Sequence, residues 1–417
     1  MCSKRCDKIS VKKYAIELGD KLRPSWLREG KFIVPLVGFH PHAPSRETGR
    51  VIATAKEQDG GERFPLVMEI EGRYEFFFDI AATLELIRYE KYPGSILQDP
   101  ITTFLPFDYT RLPMWLIGMA YRMLRKPIDF KELPNFPSYP TDHSADILFF
   151  MVHGKPSILW PDQKRYAVVF THDVDTGWIF NTPDGREWLE AFASAEERCG
   201  IRSAWYCVPC SMKTVQSEKG LNRLAQMGHE IGVHGLTHDA NLPKLSLKQL
   251  QEKLTCAKEM MAPYSIEGEM GYRAPWLSRS ETIYQALSAS EYLYDTSSPN
   301  ADCLRNNSES NNGCCTFFPF RREDLIVLPV TVPQDAMRVN LGMSPEQFWD
   351  WILNLVSKVK EVGGIAVVST HIQPHHSANH PMLDGYRHVV SILSNDSQAW
   401  VTLPKEAAQW AQKSSAI

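Results

Sequence analysis

No run of about 18 apolar residues occurs anywhere in the chain, so no segment is long and apolar enough for a membrane-spanning helix. The first residues, MCSKRCDKISVKKYAIELGD, carry basic side chains but lack the apolar centre of a secretion signal, which predicts a cytoplasmic protein. Blocks of like charge are also missing, and the formal net charge is only −4. A surface of that kind has nothing to track a phosphate backbone, so nucleic acid is excluded as a partner. Repeats and low-complexity tracts are absent. Nine cysteines, an odd number, are scattered without disulfide-like spacing, which together with the missing signal reads as reduced thiols. The pair Cys207 and Cys210 in CVPC has redox spacing, yet Cys207 closes an apolar, strand-like run and is read as a bystander thiol. Cys314 and Cys315 fall in a polar loop.

What is present describes a folded protein: 43% hydrophobic residues, 23% charged residues and 28 prolines are ordinary for a globular chain. A length of 417 residues favours two domains, or one with a substantial extension. Short apolar runs mixed with prolines and aromatics fill the first 160 positions. There RYEFFFDIAATLELIRYEKY reads as a strand running into a helix, and MWLIGMAYRML as another helix. A proline-rich stretch, ELPNFPSYPTDHSADILFF, then gives way to a different rhythm, dividing the chain into residues 1–160 and 161–417.

The second part alternates. Strands are expected at YAVVFT, RSAWYCV, EIGVH, MGYRA, YLYD, DLIVLPV, IAVVST and WVTL, with amphipathic helices such as REWLEAFASAEERC, SLKQLQEKLTCAKEMM, SRSETIYQALSA and PEQFWDWILNLVSKVKEV between them. That alternation predicts a mostly parallel sheet with helices outside it, whose chemistry gathers at the C-terminal strand ends.

Those ends are where the ionisable residues fall. THDVD places Asp173 and Asp175 after YAVVF; alone, such a pair is as suited to a turn or helix cap as to a metal. GHEIGVHGLTHD ends a strand at His234 and supplies His238 four residues on, a spacing that on a helical turn puts both imidazoles on one side. Two imidazoles and a carboxylate form a donor set typical of catalytic zinc. GYRAPW brings Arg273, Pro275 and Trp276, YDTSSP brings Asp295, and STHIQPHH brings His371. Strand alternation turns His172 away from Asp173, making it structural. His229 precedes its strand and is read as a loop hydrogen-bonder, while Asp335 is suited equally to capping and to substrate contact.

In this order the motifs resemble those of the polysaccharide deacetylases (carbohydrate esterase family 4, the NodB-homology domain) over roughly residues 165–405. THDVD looks like a DxD variant of the family's TFDDG, and HGLTH like H[ST]xxH with Gly235 in place of the hydroxyl residue. RAPW is similar to a shortened RxxP[YW], YDTSSP loosely matches the fourth motif, and STH matches LxH with Ser369 in place of leucine. The resemblance implies an α/β fold, a distorted (β/α) barrel of the seven-stranded type preceded by a smaller α+β N-terminal domain. It also implies a divalent metal, zinc, on Asp175, His234 and His238. By the same match Asp173 is the base, Arg273 holds and tunes it, Asp295 and His371 complete the catalytic set, and Trp276 with Pro275 walls the acyl pocket. His375 and His376 lie close enough to compete with His371 for the role of acid. The implied activity is hydrolysis of an N-acetyl group on a carbohydrate or another small N-acylated substrate. Relatives on this scaffold that open cyclic amides, deformylate sugars or only bind carbohydrate supply the alternatives.

Overall fold

Two sheets with separate hydrophobic cores organise the chain in the computed structural model, which describes residues 12–27, 29–39, 49–57, 60–92, 112–124, 128–265, 268–303 and 312–414. The N-terminal stretch read above as too polar for a leader falls mostly outside these residues, as do Cys2 and Cys6.

The first sheet is antiparallel, in the order β2 (Lys31–Pro35), β1 (Lys13–Leu18), β3 (Arg50–Glu57), β4 (Arg63–Ile70), β5 (Arg73–Phe76). In β1 the period of two turns Tyr14, Ile16 and Leu18 inward, as one buried face requires. α1 (Ile80–Arg88) follows β5, started by the Asp79 carboxylate accepting from Ala82 N–H. α2 (Met114–Leu124) and α3 (Ser144–His153) complete this part. The strand running into a helix at 73–92 and the helix at 114–124 are where the sequence places them; the other four strands carry too weak a pattern to have been read.

The second sheet follows the path β11 (Phe320–Arg322), β12 (Leu325–Val327), β10 (Tyr294–Asp295), β9 (Gly271–Tyr272), β8 (Glu230–Val233), β7 (Ala204–Cys207), β6 (Tyr166–Val174), β13 (Ile365–His371), with β14 (Ala399–Val401) also paired to β6. Every pairing on it is parallel except β11 with β12, so the parallel path from β12 to β13 has seven strands. The helices linking them are α4 (Trp178–Asn181), α5 (Pro183–Arg198), α6 (Val215–Gln226), α7 (Leu247–Met261), α8 (Glu281–Ala289), α9 (Ala336–Leu341), α10 (Pro345–Val362), α11 (His380–Ser394) and α12 (Pro404–Lys413). Sharp ends come from local chemistry: α10 begins in a Ser344–Gln347 capping box and stops at Gly363, whose φ of 91° suits a residue without Cβ. None of the described helices is long and apolar enough to cross a membrane.

All nine residues of β6 are buried, which fits a strand paired on both sides, to β13 on one and to β7 and β14 on the other. Among the described residues the strand path does not close on itself. Beyond β12 the chain instead reaches β13 through side chains, the first of them Thr331, whose hydroxyl donates to Ile365 O (2.7 Å) and accepts from Val367 N–H (3.0 Å). A Thr331→Val substitution keeps the shape but leaves both backbone groups unsatisfied, and should cost on the order of 2 kcal/mol. Urea unfolding should show a lowered midpoint at unchanged slope, and an unaltered midpoint would remove the seam from the account.

Candidate active site

Strand register assembles the site. Val174, Cys207, Val233, Tyr272 and Asp295 pair in sequence across β6, β7, β8, β9 and β10, so the residues just beyond them emerge at one level. Asp175, Val208, His234, Arg273 and Thr296 are those residues. On the other side of β6, His371 is the direct register partner of Asp173.

Asp175, His234 and His238 form a cluster whose ligand atoms lie within 4.8 Å of one another. Asp175 Oδ1 stands 3.3 Å from His234 Nε2 and 3.4 Å from His238 Nε2. The other oxygen, Oδ2, accepts from the Gln373 amide at 2.8 Å, which fixes the carboxylate's rotation. His234 Nδ1 faces the carbonyl of Arg273 at 2.9 Å. A carbonyl only accepts, so the hydrogen sits on Nδ1 and Nε2 presents its lone pair toward Asp175. Asp175 Oδ1 is buried without a hydrogen-bond partner. An orphaned carboxylate oxygen facing two imidazole nitrogens fits a divalent cation, and the two-nitrogen, one-oxygen donor set suits zinc.

His238 does not reach this position on a helical turn, as its spacing suggests. After β8 the chain runs through an irregular loop in which Gly235 takes φ +72°. A Cβ there would lie 2.9 Å from Pro275 Cγ and from Thr237 O, so the usual hydroxyl residue does not fit. Pro275 is thereby buried against the ligand loop, and Trp276, half-buried at φ 60°, sets its ring 5.8 Å from that of His238. A positive φ at a bulky residue costs about 1–3 kcal/mol and persists only where its neighbours impose it.

Asp173 is held differently. Its Oδ1 accepts from Arg273 Nη1 at 2.8 Å and its Oδ2 from the Gln334 amide at 3.0 Å. Burial alone would raise this carboxyl, but the charge of Arg273 outweighs it, with His234 and His371 adding, and holds it below the usual range. Arg273 Nη1 also donates to Thr171 Oγ1 and Ser369 Oγ, both at 2.9 Å, and its guanidinium stacks on the Tyr206 ring. Ser369, the departure from the LxH pattern, therefore has a place: it accepts from Arg273 and from Gln334.

His371 Nε2 lies 3.6 Å from Asp173 Oδ2, and its Nδ1 meets Asp335 Oδ1 at 2.6 Å. Asp335 Oδ2 accepts from the His371 backbone N–H and from Ser377 Oγ. Burial pulls the imidazole down, yet Asp335, with Asp175 and Asp173 behind it, raises it to about 10. Burial sends His376 the opposite way, well below the ordinary histidine range, which makes it a poor proton donor.

Sequence reasoning missed Asp335 as the partner of His371, and missed Gln334 and Gln373; the only signal available was their position just after strand ends. Asp295 stands apart from the catalytic place expected for it. Its oxygens are taken by Ser297, whose hydroxyl in turn accepts from Ala274 N–H at 2.7 Å, so it braces the Arg273–Trp276 turn from behind. His172 does face away: its ring nitrogens meet Thr370 Oγ1 and Glu196 Oε1, both at 2.7 Å. His229 Nδ1 accepts from Ser203 N–H. Among the described cysteines none is disulfide-bonded, and Cys314 and Cys315 are buried, not set in an open polar loop.

Fold and cluster together define an α/β protein with an Asp–His–His cluster that could hold a metal ion, beside an Arg-paired carboxylate and an Asp-paired imidazole, at the C-terminal edge of its parallel sheet. Residues 164–294 match the family model for polysaccharide deacetylase. It is 23% identical over 149 residues to a peptidoglycan deacetylase of Helicobacter pylori, covering 32% of this chain and 50% of that protein, so the match spans half the relative's length. Its fold is similar to that of a Mycobacterium smegmatis structure assigned to the polysaccharide deacetylases (TM-score 0.50, 18% identity, covering 61% of this chain and 93% of that one). A Pseudomonas aeruginosa structure with the same assignment aligns at TM-score 0.49 and 12% identity, over 62% of this chain and 94% of that one. Asp335, His371 and Gln373 lie outside the matched segment, and the pairing of β13 with β6 brings the last two to it.

Because the folded-state value of His371 exceeds the ordinary one of about 6.5, its pairing with Asp335 stabilises the fold fully below that pH, and the contribution is lost as pH rises through about 10. An Asp335→Asn variant removes the charge that favours the imidazolium. An NMR titration of the His371 ring should show its midpoint fall toward the ordinary range; an unmoved midpoint would deny Asp335 this part.

Proposed function

We propose that the protein is a metal-dependent hydrolase that removes an N-acetyl group from a carbohydrate, with residues 161–417 carrying the chemistry and residues 1–160 forming an accessory domain. The observation that carries this reading is the buried, unpartnered Asp175 Oδ1 facing His234 and His238, beside an Arg-paired carboxylate and an Asp-paired imidazole. The family match and the peptidoglycan deacetylase relative supply the substrate class.

A zinc-type ion on Asp175, His234 and His238 would supply Lewis acidity, polarising an amide carbonyl and lowering the pKa of water to about 7. The remaining steps belong to the chain's own groups. Asp173, kept ionised by Arg273, takes the proton of the attacking water, and Gln334 holds its second oxygen toward the site. His371, kept charged by Asp335, donates a proton to the departing nitrogen. An amine leaves readily only once protonated, so a proton held through neutral pH on this imidazole is useful there. Trp276 and Pro275 wall the space for the acyl group.

Elemental analysis of the purified protein should find a bound divalent metal, lost in His234→Ala. Asp173→Asn should keep the metal and lose about 10² to 10⁴ in kcat for acetate release from a panel of N-acetylated glycans and nucleotide sugars. Absence of metal, or equal acetate release by the variant, would overturn the reading.

A further inference from the structure

A helix from outside the family-matched segment lies against the catalytic end of the sheet. α2 touches Thr176, the residue after Asp175, through Met114 (Thr176 Oγ1 to Met114 Sδ, 3.8 Å). One turn on, Gly118 packs so closely on His375 that a Cβ there would lie 3.3 Å from the histidine's own Cβ. His375 belongs to the loop that carries Gln373, the residue holding Asp175. The helix thus bridges the ends of β6 and β13, the two strands that supply base, ligand and acid. Beside it a cleft of about 500 Å³ is left, with Met114 on one side, Trp178 and Lys213 among its other walls, and Thr176, Cys210 and Thr237 lining it next to the ligand loop. That volume lies in the usual range for small-ligand sites, roughly 300–1,000 Å³.

A polymer bound by an interior unit needs a groove open at both ends, since the chain must continue past the reacting sugar in both directions. Here α2 lies against Thr176 and His375, on one side of the site. We propose that α2 makes the catalytic groove one-ended, so that the site takes a single N-acylated sugar or the terminal unit of a chain and rejects the interior of a polymer. The proposal rests on the deacetylase reading for its substrate class, and on the α2 contacts for the size limit. Trp178 offers an aromatic surface for the apolar face of a pyranose, and Lys213 with Thr182 offers polar contacts at the rim.

The test uses the full-length, metal-loaded protein. Binding of N-acetylglucosamine disaccharide is compared with that of a hexasaccharide chemically blocked at both ends, and products from an unblocked hexasaccharide are mapped by mass spectrometry. The expected result is binding of the blocked chain about ten-fold or more weaker than that of the disaccharide, with acetate lost from a terminal unit only. Met114→Ala, which lowers the wall without touching ligand, base or acid, should narrow the binding ratio several-fold; a helix that served only stability would leave the ratio unchanged, and that outcome overturns the proposal. Equal binding of blocked chain and disaccharide, interior deacetylation, or no binding of any N-acetylated sugar overturns it as well. Selective binding of the disaccharide without acetate release would uphold the one-ended cleft and overturn the deacetylase reading instead.

Discussion

The guanidinium of Arg273 is the group on which the site depends. It is fully buried, and a buried charge without partners would cost several kcal/mol. Its partners come from four parts of the sheet: Thr171 and Asp173 on β6, Ser369 on β13, the Thr296 carbonyl beyond β10 and the Tyr206 ring on β7. Satisfying one cation therefore pulls these strand ends into a single arrangement. The same residue's backbone carbonyl orients His234, so Asp173 and the Asp175–His234–His238 cluster share one anchor.

Two opposed charge pairs follow from that anchor. Arg273 keeps a carboxylate ionised, and about 3.6 Å from that carboxylate Asp335 keeps an imidazole protonated. In a dry site each group alone would shift toward neutrality. Pairing each with its own counter-charge lets a proton acceptor and a proton donor stand side by side, which hydrolysis of an amide requires. Gln334 and Gln373 add direction without charge, each donating to one oxygen of one aspartate, Oδ2 of Asp173 and Oδ2 of Asp175, and so fixing how each carboxylate is turned. The strained Trp276 and the left-handed Gly235 answer the same demand for close approach, since the two loops that carry them press against each other at Pro275.

The N-terminal part is bound to the sheet by a second buried network, in which Arg279 pairs with both Glu90 and Asp302 and Tyr92 donates to the Gly313 carbonyl. A polar interface of this kind is costly to open, because separating it would strand charges that each lie almost entirely out of solvent.

By itself the sequence determined the alternation of strands and helices after residue 160, the strand ends at which ionisable residues gather, and the three residues, Asp175, His234 and His238, that the fold brings together. These are legible because parallel strands write near-continuous apolar runs, and because residues following such runs are forced to the same edge. It also determined that His172 and Asp173 point to opposite faces, since strand alternation allows nothing else. Strands β1 to β4 of the first sheet were not legible, because their apolar residues are interrupted by charged ones and no chemical motif marks them. Only the tertiary structure decided that Asp335 is the partner of His371, that Ser369 and Gln334 complete the shell of Asp173 and Arg273, and that α2 lies against the strand ends. Each of those pairings joins residues far apart in the chain, and which carboxylate reaches which histidine depends on strand register and loop path, quantities that no local pattern of side chains records.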